Sequence, residues 1–149
     1  MKFMNDNSLI LLDTNILVYA FDDTDKKKQK RAIEILVKCF HGNISCAVNA
    51  QNLAEFFFVV TRKVVRPFSP SDAGYFIQKL IEFKGITKIA YTAETLPQAI
   101  SLVQRYSLKI WDALIIATML EHRIFKIYTE NQKDFSRVKN IQAINPFKE

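Results

Sequence analysis

The sequence predicts an α/β fold, a three-layer sandwich in which helices flank a mostly parallel sheet of four to five strands. Leu9-Ile10-Leu11-Leu12 has no polar alternation, as in a strand buried on both faces of a parallel sheet. Further short apolar runs alternate with longer segments of helical periodicity, the strand-then-helix order that parallel pairing requires. The chain's 149 residues suit one domain with a substantial core, so residues 1–149 are expected to form a single unit.

The first strand stops at Asp13. Thr14, Asn15 and the apolar run Ile16 to Ala20 follow, then an acidic turn with Asp22, Asp23 and Asp25. From Lys26 to Phe40, Ala32, Ile33, Leu36, Val37 and Phe40 recur at three- and four-residue spacing, which predicts a helix. Gly42 suits its C-terminal stop. Ile44 to Val48 reads as the second strand, leading into a helix from about Asn49 to Lys63. Ser69-Pro70-Ser71-Asp72 combines a capping serine, a first-turn proline and an acid, so a helix is expected from Pro70 to about Phe83, ended by Gly85.

Ile86 to Ala90 reads as the third strand. Thr95 with Gln98 has capping-box spacing and predicts a helix running to about Tyr106, and another helix spans Trp111 to His122. Phe125 to Tyr128 is the fourth strand and Ile141 to Ile144 a short fifth, joined by a polar loop from Thr129 to Asn140. There is no internal repeat, low-complexity tract or interdomain linker, and disorder is expected only at the ends.

A hydrophobic fraction of 49%, with 12 Phe, marks a folding sequence rather than a solvated tail. The formal charge of +6 favours a polyanionic partner, because cationic surface releases condensed counterions on meeting phosphate. Lys26, Lys27, Lys28, Lys30 and Arg31 read first as a solvated helix face and second as an RNA-binding stripe. Arg105 and Lys109 are phosphate-contact candidates on charge alone.

Lys2 precedes an apolar stretch that Asp6 and Asp13 bracket, which argues against a signal peptide. Ala113 to Leu120 is far shorter than the roughly 20 residues of a membrane helix. A cytoplasmic protein, with no membrane partner, is expected. Cys39 and Cys46 show neither zinc-finger spacing nor a disulfide framework and read as buried free thiols. His41 and His122 each follow helical sequence, where an imidazole can sit by the terminal carbonyls.

Asp13, Glu55 and Asp112 stand out because each carboxylate is embedded in apolar sequence: Leu-Leu-Asp-Thr-Asn-Ile-Leu, Leu-Ala-Glu-Phe-Phe-Phe and Ile-Trp-Asp-Ala-Leu-Ile-Ile. A buried anion must be paired, protonated or bound to a metal, since its uncompensated desolvation costs several kcal/mol. Asp13 directly follows the first strand, where open α/β sheets gather functional groups. Glu55, three residues after Asn52 on an almost wholly apolar helix, is expected to point into a crowded interior.

If right-handed crossovers bring the three acids together, their repulsion calls for a hard divalent cation. Oxygen-only ligation favours Mg2+ or Mn2+ over zinc, and such an ion can activate water for attack on phosphorus. Each acid also has an ordinary structural role open to it: Asp13 and Asp112 as helix caps, Glu55 as a partner of Arg62 or another buried cation.

These residues resemble the PIN domain, and in particular the VapC-like toxins of toxin–antitoxin pairs, over nearly the whole chain. Leu11-Leu12-Asp13-Thr14-Asn15 is similar to the family's first acidic motif, Leu53-Ala54-Glu55 to its second and Trp111-Asp112-Ala113-Leu114-Ile115 to its third. Thr129-Glu130-Asn131-Gln132-Lys133-Asp134-Phe135, followed by Asn145-Pro146-Phe147, resembles the last motif and terminus.

The resemblance implies a magnesium- or manganese-dependent endoribonuclease cutting single-stranded RNA, typically a homodimer restrained by a small antitoxin protein. It implies a fourth acid where this sequence has Asn131, with Glu130 beside it and Asp134 three residues on. An amide can ligate a cation or its water but brings no charge, so Asn131, Glu130 and Asp134 all stand as candidates to complete the metal set with Asp13, Glu55 and Asp112. Asn15 and Thr129 resemble supporting positions that orient carboxylates or substrate, with capping or turn stabilisation as their ordinary role.

Two other readings compete. An aspartate after the first buried strand also suits a haloacid-dehalogenase-type phosphohydrolase, but the second aspartate of that pattern falls at Asn15. A non-catalytic PIN-like protein that binds RNA or a partner would explain the incomplete acid set. Phe56-Phe57-Phe58 reads first as core, although a helix apolar on every side also suits a homodimer contact.

Overall fold

A computed structural model describes residues 8–148. The expectations for Lys2, Asp6 and the extreme ends therefore lie outside the described residues. Five strands, β1 (Ile10–Leu12), β2 (Cys46–Asn49), β3 (Thr87–Ile89), β4 (Lys126–Tyr128) and β5 (Gln142–Ile144), form one sheet in the order β3-β2-β1-β4-β5. Every pairing is parallel, with Leu11 beside Ala47 on one side and Ile127 on the other. The chain winds outward from β1 in one direction through β2 and β3, then resumes on β1's other flank with β4. That reversal opens a crevice beyond the carboxyl ends of the central strands.

Seven helices cover the sheet: α1 (Thr14–Tyr19), α2 (Lys26–Phe40), α3 (Ala50–Arg62), α4 (Pro70–Glu82), α5 (Leu96–Tyr106), α6 (Ile110–Glu121) and α7 (Gln132–Phe135). The two-residue period of the strands divides the core between the layers. Leu11, Ala47, Ile127 and Ala143 face the cluster that includes Leu114, Ile116 and Met119 of α6 and Phe135 of α7. Leu12, Cys46 and Val48 face the opposite cluster, with Ile16, Leu17, Ile35, Phe56 and Leu80 from α1 to α4. The predicted three-layer α/β sandwich is thus the observed architecture.

Local chemistry explains most boundaries. Asp25 and Ser69 cap α2 and α4 by accepting hydrogen bonds from the backbone N–H groups of Lys28 and Asp72. Gly42 follows α2 with φ +77°, a left-handed conformation that suits glycine. Residues Ala113 to Met119 are all buried, because α6 is wrapped by the sheet and by α5. His41 and His122 sit at the C-terminal ends of α2 and α6, and His122 Nδ1 lies 2.9 Å from the Thr118 carbonyl.

Several expectations are corrected. Thr95 forms no capping box with Gln98: its hydroxyl accepts from the Thr92 N–H at 3.0 Å and donates to Glu121 at 2.8 Å, and a 3-10 turn, Ala93–Thr95, precedes α5. The expected polar loop after β4 contains α7, which Phe135 anchors in the core. Cys39 and Cys46 are not free thiols but a disulfide, because the end of α2 and the start of β2 bring their Cα atoms to 5.9 Å. Glu55 is exposed, since α3 buries Asn52, Leu53, Phe56 and Val60 and turns the glutamate outward.

Candidate active site

Asp13 is the hub of a buried hydrogen-bond network at the sheet's carboxyl edge. Its N–H continues the β1–β4 ladder by donating to the Tyr128 carbonyl at 3.0 Å. The residue is 7% exposed and its carboxylate receives four donors: the Thr14 N–H at 2.8 Å, Asn52 Nδ2 at 3.1 Å, the Thr129 hydroxyl at 2.6 Å and Asn15 Nδ2 at 3.4 Å. Asp13 is therefore the N-cap of α1, as its ordinary role required, and is also tied to α3 and to the end of β4. Burial holds its proton affinity above the usual carboxylate range; Thr129 and Thr14 oppose that rise, while the charges of Glu55 and Asp112 add to it.

Glu55 reaches the same region through Thr14, whose hydroxyl donates to Oε1 at 2.9 Å and accepts from Asn52 Nδ2 at 2.9 Å. No contact with Arg62 is involved. Asp112, in the first turn of α6, lies where a carboxylate complements the helix dipole. Desolvation raises its proton affinity, helped by Asp134 and Glu55 and opposed by Lys109. Gln51 of α3 joins these two walls by donating from Nε2 to the Trp111 carbonyl at 3.1 Å.

Asp13, Glu55, Asp112 and Asn131 all line one open cavity of about 470 Å3, together with Thr14, Asn15, Tyr19 and Gln51. Asn131 enters it from the turn after β4, where its N–H donates to the Thr129 hydroxyl at 2.9 Å. The other two candidates are held elsewhere. Glu130 accepts a 2.7 Å hydrogen bond from the Tyr19 hydroxyl and pairs with Lys28, and Asp134 pairs with Arg137 at 3.1 Å. Neither side chain lines the cavity, although the charge of Asp134 is felt at Asp112.

The donor set suits a hard divalent cation: carboxylate and amide oxygens converge on one volume that no histidine or cysteine lines. Among the described residues, no three acidic, histidine or cysteine side chains stand close enough together to hold a metal ion between them, so the acids share the lining of an open cavity without forming an assembled site. Asn52 and Thr14 are supporting residues that sequence reading did not single out. The three-residue spacing of Asn52 and Glu55 on one helix was the available signal; the Thr14 relay depends on α1 meeting α3 and leaves no trace in sequence.

The fold has counterparts among known proteins. Residues 10–141 match the family described as the PIN domain. No curated protein is similar enough in sequence to count as a match. Among solved structures, a toxin–antitoxin complex from Klebsiella pneumoniae is similar at 22% identity and TM-score 0.60, over 92% of this chain and 97% of that one. A sarcin–ricin-loop-cleaving VapC toxin from Mycobacterium tuberculosis aligns at 14% identity and TM-score 0.65, over 85% and 93%. A VapBC complex from Rickettsia felis bound to a promoter DNA fragment aligns at 20% identity and TM-score 0.62, over 92% and 98%. With a family match that spans most of its length and the corresponding fold, the chain belongs to the PIN-domain family.

Proposed function

We propose that the whole chain is one nuclease domain, a Mg2+- or Mn2+-dependent endoribonuclease that hydrolyses RNA phosphodiester bonds, acting in the cytoplasm as the toxin of a toxin–antitoxin pair. The observation that carries the reading is the convergence of Asp13, Glu55, Asp112 and Asn131 on one cavity at the switch of strand order. Among the described residues, no helix is long and apolar enough to cross a membrane.

Asp13, Glu55 and Asp112, with Asn131, would hold the cation, which when bound supplies charge neutralisation and water activation for attack on phosphorus. Thr129, Asn52 and the Thr14 N–H fix the direction of the Asp13 lone pairs, so this ligand is oriented before substrate arrives. Thr14 does the same for the exposed Glu55. The open cavity leaves room for a single strand to present its backbone.

Several solved neighbours are toxin–antitoxin complexes, which supports an antitoxin partner for this chain. A homodimer belongs to the same reading. Phe58 on α3 is 49% exposed and Trp111 on α6 is 63% exposed, two large apolar side chains open to a second subunit. A monomer at micromolar concentration by sizing with light scattering would remove that part.

One observation favours a second reading, a non-catalytic PIN-like binder: Asn131 brings no charge, and Glu130 is held by Lys28 and Tyr19. The phosphohydrolase alternative has lost its support, since the family match points elsewhere and Asn15 stands where its second acid would be. The deciding experiment is cleavage of labelled single-stranded RNA with Mg2+, Mn2+ or EDTA, beside Asp13→Asn and Asp112→Asn. Metal-dependent cutting lost in both folded variants supports the nuclease; metal binding without cutting supports the binder.

A further inference from the structure

We propose that a basic groove between α2 and the end of the chain is the track along which single-stranded RNA leaves the acidic cavity. The proposal rests on the ribonuclease reading and adds to it the surface that holds the flanking nucleotides. The groove has a volume of about 470 Å3 and is lined by Lys27, Lys28, Lys30, Arg31 and Lys148, around Phe147. Glu34 is the acid on its wall, and it pairs with Arg31 at 3.7 Å. Lys28 is paired with Glu130 and Arg31 with Glu34, so among the described residues the positive excess of the groove rests on Lys27, Lys30 and Lys148, beside a cavity lined by Asp13, Asp22, Glu55 and Asp112 with Lys63.

The two sites are adjoining. Tyr19 lines the acidic cavity, and its ring lies 5.1 Å edge-to-face from Phe147 and 4.9 Å from Lys28 Nζ. Arg31 Nε donates to the Pro146 carbonyl at 3.1 Å, which holds the chain end against α2 as the opposite wall. Lys27, Lys30 and Lys148 are exposed, and no ion pair holds any of them among the described residues. Tyr19 and Phe147 pack on each other and against the core with Lys28 over both rings, so they join the cavity to the groove, and the cations along its two walls match the phosphates of an unpaired strand that continues from the acidic cavity.

The test uses the full chain in EDTA, so that binding is read without cleavage. Affinity for a fluorescently labelled 12-nucleotide single-stranded RNA, a probe of about that length being enough to span both sites, is followed by anisotropy across a salt series. The triple variant Lys27→Gln/Lys30→Gln/Lys148→Gln is compared with wild type and with a control, Lys79→Gln/Lys84→Gln/Lys88→Gln, from the α4–β3 side. Losing three phosphate contacts is expected to reduce the slope of log K against log salt by about 2, and to weaken binding at low salt by about tenfold or more, while the control changes neither.

An unchanged slope and affinity in the groove variant overturns the proposal, as does a wild type that binds no RNA. If the groove variant instead loses binding of poly-glutamate while RNA binding is unchanged, the groove belongs to an acidic protein and the proposal also falls. The parent reading fails separately. A wild type that binds RNA through the groove but never cuts it leaves the track intact and removes the nuclease; a wild type that cuts while the groove variant binds normally does the reverse.

Discussion

The hydroxyl of Thr129 donates a 2.6 Å hydrogen bond to Asp13 Oδ2, joining the residue that follows β4 to the residue that follows β1. The same hydroxyl accepts from the Asn131 N–H at 2.9 Å, so one buried side chain aligns both the central acid and the turn that carries Asn131. Thr129→Val keeps the shape and removes the hydroxyl. It is expected to lower stability by about 1–3 kcal/mol, because a buried acceptor and a donor lose their partner, and to reduce metal affinity or cleavage by about 10–100-fold. Thr129→Ser should recover most of both. Loss in the Ser variant with none in the Val variant, measured by manganese titration and urea unfolding, would mean that the methyl packing and not the hydroxyl matters.

Stability of the metal-free protein should depend on pH through Asp13 and Asp112. Burial raises the proton affinity of both in the fold above the model-peptide value of 3.8. Groups shifted this way favour the fold fully below their unfolded pKa, and that contribution is lost as pH rises through the folded pKa. In EDTA, wild type should therefore lose stability across that window relative to Asp13→Asn, and manganese at neutral pH should restore it. Urea midpoints that run parallel for wild type and Asp13→Asn across the acid range would sink the expectation.

The Cys39–Cys46 bridge closes a short loop, with a sequence separation of 7. Chain-entropy reasoning gives such a loop about 2–3 kcal/mol of stabilisation. Reductant, or the Cys39→Ala/Cys46→Ala double variant, should lower the urea midpoint accordingly and leave cleavage unchanged, because neither cysteine lines the acidic cavity. Two titratable thiols in protein denatured without reductant would show that the bridge does not form.

The fold was largely legible because its signals are local. Leu9 to Leu12 lacks alternation since β1 is covered on both faces, and the cap of α4 is written into Ser69-Pro70. That Asp13 and Asp112 line one cavity was legible as a candidate pairing because a carboxylate amid aliphatic residues is costly enough to need a reason. What stayed hidden was set by tertiary geometry. Glu55 looked interior because Phe56, Phe57 and Phe58 adjoin it, yet α3 turns it outward, and Phe58 is exposed too. Glu130 and Asp134 could not be separated from Asn131 by spacing, since the choice depends on where Lys28 and Arg137 stand across the fold. The disulfide was missed for a related reason: nothing near either cysteine says that a helix end and a strand start will meet.

Asn131 is where an acid would add charge to the cavity, and its half-buried side chain already lines it. Asn131→Asp should lower the stability of the metal-free protein, because a further carboxylate joins Asp13, Glu55 and Asp112, whose mutual repulsion already contributes to the raised proton affinities. With manganese the sign should reverse: tighter binding of the cation gives a larger rise in Tm than in wild type, and about 2.7 kcal/mol of stabilisation is expected at a hundredfold excess over Kd. Calorimetric titration and thermal melts with and without manganese check both halves. Unchanged affinity would place Asn131 outside the metal's reach, whereas weaker binding in the aspartate variant would mean that the neutral amide is itself the better ligand and that the cavity is already at the limit of charge it can hold.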